Sequence, residues 1–84
     1  MVETVVRPRG FVQFTFISIS PGNPQRKYYT RVDTITDFAE VPAEYARLGA
    51  GTYLIDRRGE VMYSVEDIEE IASRIAVADR ELKE

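Results

Sequence analysis

Cysteine and histidine are both absent from these 84 residues, and Asn and Gln together supply only three. The lack of cysteine excludes disulfides, thiolate nucleophiles, iron–sulfur clusters and cysteine zinc sites, and leaves no clue to redox compartment. The lack of histidine removes the commonest general base near neutral pH and the commonest transition-metal ligand. Carboxylates, Tyr, Lys, Arg and hydroxyls remain, and no catalytic or metal-binding signature arranges them. The chain therefore reads as a protein that is not an enzyme and that uses neither metal nor cofactor. The scarcity of amides, with nine arginines against two lysines, points toward a hot-growing host or a GC-rich genome without separating the two.

Long apolar runs are missing as well. No segment approaches the length of a membrane span, and Met1 to Arg9 has neither the apolar core nor the small-residue cleavage site of a secretory signal. The expectation is a cytoplasmic protein with no membrane partner. A chain this short builds one core at most and gains stability by self-association, through a sheet edge or an apolar helix face, so an oligomer is expected.

What is present is polarised along the chain. Residues 1–34 carry five basic residues (Arg7, Arg9, Arg26, Lys27, Arg31) against Glu3 and Asp33, whereas residues 35–84 carry six basic against twelve acidic. The sum, −3, hides this asymmetry.

Residues 1–9 read as an N-terminal arm, 10–64 as β-rich and 64–83 as a helix. Gly10 to Ser20 is dense in aromatic and β-branched residues with no helical spacing, and predicts a strand with apolar residues on both faces. Pro21-Gly22-Asn23-Pro24-Gln25 reverses the chain. The run Arg26 to Val32 puts Tyr28, Thr30 and Val32 on a core-like face and Lys27, Tyr29 and Arg31 on a basic, aromatic one. At Val32-Asp33-Thr34-Ile35 the apolar spacing changes from two to three, which predicts a turn or bulge before an extended piece ending at Val41. Pro42 to Gly49 predicts a short helix with Pro at its first position, or an ordered loop.

Gly51–Asp56 and Glu60–Ser64 predict a second hairpin around Arg57-Arg58-Gly59. Ser64 with Asp67 three residues later reads as a capping box, and Glu66, Asp67, Glu69 and Glu70 complement the positive end of the helix dipole. Ile68, Ile71, Ala72, Ile75, Ala78 and Leu82 then form one apolar stripe. The fold expected is α+β: a twisted antiparallel meander or small open barrel of four to five strands with one C-terminal amphipathic helix.

The order of these pieces from Tyr28 to Ile71, carried by Val32, Asp33, Ile35, Gly59, Ser64, Glu66, Asp67 and Ile68, resembles small flagellar proteins of the FlbD type and the phage and bacterial proteins patterned like them. In that group a Val-Asp-x-Ile step precedes a strand with a Gly turn and a Ser-x-Glu-Glu-Ile helix start. This chain departs from the pattern by the Pro42 to Gly51 insertion, by the arm before Gly10 and by Tyr63. The resemblance implies a non-enzymatic accessory protein and transfers no catalytic residue.

Four candidate surfaces follow from the residues. Arg7, Arg9, Arg26, Lys27, Tyr29 and Arg31, with Phe11, combine cations and aromatic faces as single-strand nucleic-acid binders do; the competing reading is cross-strand packing of the tyrosines with cations keeping the hairpin soluble. The carboxylates at the helix start supply capping electrostatics, since consecutive helical residues do not converge on one ion, and Asp33, Asp37 and Asp56 read as turn caps. Asp56-Arg57-Arg58-Gly59 lacks the glycines of a phosphate loop and reads as a hairpin tip. The stripe of Ile68, Ile71, Ile75 and Leu82 either closes the chain's own core or forms an oligomer interface. The function expected is an interaction module whose partner is another protein or itself, with nucleic acid as the alternative.

Overall fold

Aromatic and β-branched residues drive the first hairpin: β1 (Phe11–Ile17) and β2 (Gln25–Arg31) pair antiparallel from Phe11 opposite Arg31 to Ile17 opposite Gln25. The computed structural model describes residues 8–18 and 24–84. Arg7 and most of the N-terminal arm therefore lie outside the described residues, as does most of the predicted hairpin loop. A single 3-10 turn, Val32–Thr34, occupies the step where the apolar spacing slips, and β3 (Ile35–Glu40) follows. A one-turn helix, α1 (Ala43–Ala46), has Pro42 as its N-cap, one position before the expected first helical place. The second hairpin is β4 (Thr52–Asp56) and β5 (Val61–Ser64), and α2 (Ile68–Lys83) ends the fold.

The five strands form one antiparallel sheet in the order β2-β1-β5-β4-β3. Consecutive strands β2 and β3 are thus its two opposite edges. In a flat sheet those edges would lie about 19 Å apart, while a three-residue 3-10 turn advances only about 2 Å per residue. The sheet has to curl so that the edges meet at the turn, and it remains open elsewhere. Thr34 fastens that corner, its Oγ1 donating to the Arg31 carbonyl at 2.7 Å and lying 3.3 Å from Thr30 Oγ1.

Inside the curl, Phe14, Leu54, Met62 and Ile71 are buried together, with Phe16, Ile35, Phe38 and Ile75 against them, and Val12, Val32 and Ala78 extend the core. The mixed faces of β1 now have a cause. Val12 and Phe14 face this core, while Ile17, on the opposite face, is buried beneath the segment after α1, where Gly49 lies beside its Cδ1. The core-like face predicted for β2 is only partly so. Val32 is buried within the 3-10 turn, but Tyr28 is 42% exposed and packs its ring, at centroid distances of 5.4 and 5.8 Å, along Phe14 and Phe16.

The helix start differs from the sequence expectation. Asp67, not Ser64, is the N-cap of α2, its side chain accepting from the Glu70 N–H, so the helix begins at Ile68. Ser64 is the last residue of β5 and is fully buried. Its hydroxyl is engaged with the amide and carboxylate of Glu66 and does not cap the amide of Asp67. Along the apolar stripe, Ile71 and Ala78 are fully buried and Ile75 packs against both parts of the core, so these residues close the chain's own interior. Ile71 is thereby taken up by the chain's own core and offers no surface to a partner, whereas Ile68 and Ile75 are half-buried and Leu82 is exposed. Leu82 lies over Gly10, where a Cβ would overlap its side chain.

Candidate functional site

Beyond Phe16, which pairs with Ser64, β1 leaves β5 and no strand covers its edge. Three groups there are met instead by side chains of α2 and the loop before it. The Gly10 N–H donates to Glu81 Oε1 at 2.9 Å, the Gln13 carbonyl accepts from Arg74 Nη1 at 2.8 Å, and the Thr15 N–H donates to Glu66 Oε1 at 2.9 Å. A step of seven residues, from Arg74 to Glu81, returns to the same side of a helix. Glu66, in the loop just before α2, and Arg74 and Glu81, on one side of it, together act as a substitute strand.

Glu66 is the centre of this arrangement. Its carboxylate accepts from the Thr15 N–H, from Thr15 Oγ1 at 2.8 Å and from Ser64 Oγ at 2.6 Å, and lies 3.5 Å from Arg74 Nη1. Its backbone is held too: the Glu66 N–H donates to Ser64 Oγ and the Glu66 carbonyl accepts from Thr52 Oγ1 at 2.8 Å. Burial, the largest influence, pushes the carboxyl pKa up, but the hydrogen bonds from Ser64 and Thr15 outweigh it together and hold the pKa below the usual glutamate value. The backbone of Gly51 runs so close to the carbonyls of Val65 and Glu66 that a side chain there would clash. Reading Glu66 as dipole complementation missed this role. The only trace in the sequence is a pair of hydroxyl residues, Thr15 and Ser64, on strands otherwise rich in apolar residues.

The remaining acidic residues have ordinary duties. Glu70 pairs with Arg74 one turn on, and Asp56 Oδ1 accepts from the N–H groups of Arg58 and Glu60, closing the tip of the β4–β5 hairpin. Asp33 pairs with Arg31 at 3.1 Å. Among the described residues, no three carboxylates come together as a cation site.

The basic aromatic set is divided. Arg9 lies at the far end of α2, ion-paired with Glu84 at 2.8 Å. Arg26 shares the concave face of β2 with Tyr28 and lines an open groove with Phe16, Glu60, Val61 and Met62. Lys27, Tyr29 and Arg31 stand on the opposite face, opposite Thr15, Gln13 and Phe11 of β1. Phe11 and Gln13 in turn border a second shallow groove with Ser73, Arg74 and Val77. All of β2 except Thr30 is exposed.

A third surface, absent from the sequence reading, lies on the convex side of β4 and β5. Tyr53 and Tyr63 are cross-strand neighbours, and Tyr45 of α1 meets Tyr63 edge-on at 5.4 Å. Burial foremost, and then the Tyr45 hydroxyl, raises the pKa of the Tyr63 phenol. The signal available was the spacing of three tyrosines over two predicted strands and a short helix, which gives no sign that they meet.

No family model matches the chain, and neither a curated protein nor a solved structure does. Among the described residues no helix is long and apolar enough to cross a membrane.

Proposed function

We propose that this chain is a non-catalytic interaction module of the cytoplasm, an accessory subunit that engages a protein partner along the exposed edge of β2. The observation that carries the reading is β2 itself: a seven-residue edge strand, exposed at every position but Thr30, with no neighbour on its outer side among the described residues. Such an edge offers unpaired N–H and C=O groups as a template for another strand. The phase of the ladder says which groups these are. Val32 donates to the Gly10 carbonyl at 2.8 Å, so Thr30, Tyr28 and Arg26 turn their backbone toward β1, while Lys27 and Tyr29 turn theirs outward. The carboxylate of Glu66 is consumed by structural bonds, in keeping with a non-catalytic role. The accessory-subunit part of the proposal rests on the resemblance of residues 28–71 to FlbD-type proteins.

A photo-crosslinking residue at Tyr29, in cells that make the protein, tests this. Adducts at position 29 and none at Glu69, on the exposed side of α2, are expected. No adduct at 29, or equal yields at both positions, would overturn the reading.

A second reading, single-strand nucleic-acid binding, is favoured by one observation: Lys27, Tyr29 and Arg31 share a face with Phe11, the cation and aromatic pairing on which unpaired bases stack.

A further inference from the structure

The free edges of the sheet differ in charge. Along β2 stand Arg26, Lys27 and Arg31 with no acidic residue, and along β3 stand Asp37 and Glu40 with no basic one. Arg26, Lys27, Asp37 and Glu40 are all exposed. None of the four belongs to an ion pair found among the described residues, whereas Arg31 already pairs with Asp33. Arg57 and Arg58 sit at the β4–β5 turn, beyond the first residue of β3.

The backbone of β3 is open in the same way as that of β2. Val41 donates to the Gly51 carbonyl, and from that phase Ala39 and Asp37 face β4 while Phe38 and Glu40 present their N–H and C=O groups outward. Among the described residues the sheet therefore carries two unpaired strand edges, one basic and one acidic, diverging from the Val32–Thr34 corner.

We infer that the partner of the β2 edge is a second copy of this chain, which meets it with its β3 edge. This rests on the reading of β2 as a docking edge and names the occupant. Charge complementarity selects it: β2 against β2 would set cations against cations and β3 against β3 carboxylates against carboxylates, whereas β2 against β3 pairs opposite charges while both backbones gain ladder hydrogen bonds. Because the two surfaces differ, the contact is head-to-tail. Each copy keeps one edge free after pairing, so assembly continues until a ring closes or a filament grows. The apolar stripe of α2 is not needed, its Ile71 and Ala78 being spent on the core.

The test uses the full chain and two charge reversals, Arg26→Glu with Lys27→Glu on β2 and Asp37→Lys with Glu40→Lys on β3. Light scattering on the wild type should show mass rising with concentration at low salt and falling toward the monomer as salt is raised. Each reversal alone should weaken association by about tenfold or more, because like charges then face each other. A one-to-one mixture should reassemble, since each variant supplies the edge the other requires. Circular dichroism melts verify folding, and the milder Arg26→Gln with Lys27→Gln, expected to weaken assembly less, replaces the β2 reversal if that variant unfolds. A wild type that stays monomeric, a single variant that assembles like wild type, or a mixture that does not reassemble would each overturn the inference. Crosslinking at Tyr29 to a different protein, with the purified chain monomeric, would leave the docking reading standing and remove only the self-pairing.

Discussion

Arg74 Nη1 donates to the Gln13 carbonyl at 2.8 Å across 61 positions of sequence, and by doing so a helix side chain fills the place of a strand. With Glu66 on one side of it and Glu81 on the other, this contact gives partners to backbone groups along the uncovered part of β1. The edges that remain open are those of β2 and β3.

Replacing Glu66 should be costly out of proportion to its place in a loop. Glu66→Ala strands the Thr15 N–H and the hydroxyls of Thr15 and Ser64, and losing acceptors for buried donors costs about 1–3 kcal/mol per group. A loss of about 3 kcal/mol is expected in urea denaturation. Glu66→Gln, which keeps one carbonyl oxygen, should lose about 1 kcal/mol.

The same residue sets a pH dependence. Its folded pKa lies below the ordinary value of 4.5, so its contribution is fully present above that value and is lost as pH falls through the folded pKa. Denaturation midpoints followed from neutral pH into the acid range should fall more steeply for wild type than for Glu66→Gln. Parallel curves would show that this carboxylate is not the group being titrated.

The two candidate caps are separable. Asp67→Ala removes the acceptor for the Glu70 N–H and should cost about 1 kcal/mol, with a matching loss of hydrogen-exchange protection confined to the first turn of α2. Ser64→Ala should leave that turn protected and loosen instead the segment from Thr15 to Glu66, because its hydroxyl bonds there.

The stripe of α2 gives a graded series. Ile71→Ala, at a fully buried position, should cost about 2–5 kcal/mol. Leu82, 39% exposed, should cost about 1 kcal/mol or less on the same change, since little area leaves water there. Equal costs would mean that something covers the end of the helix.

For the nucleic-acid reading, affinity for a labelled single-stranded oligonucleotide should fall steeply with salt and again on Tyr29→Ala with Arg31→Ala. An absence of binding at low salt would remove it.

Local pattern alone determined much of this molecule. Strand-forming residues from Phe11 to Ile17, the turn residues around Gly59 and the three- and four-residue steps from Ile68 to Leu82 specify two hairpins and an amphipathic helix, because each depends on neighbours in the chain. The slip at Val32 to Ile35 likewise announced the corner. Tertiary structure decided the rest. It made Ser64 a buried partner of Glu66 and left the cap to Asp67, and it set Arg9 and Arg26 apart from Lys27 and Arg31. It also made sequence neighbours β2 and β3 into opposite edges. Those outcomes depend on which groups meet across the curled sheet, a matter of long-range geometry that periodicity within one segment does not encode.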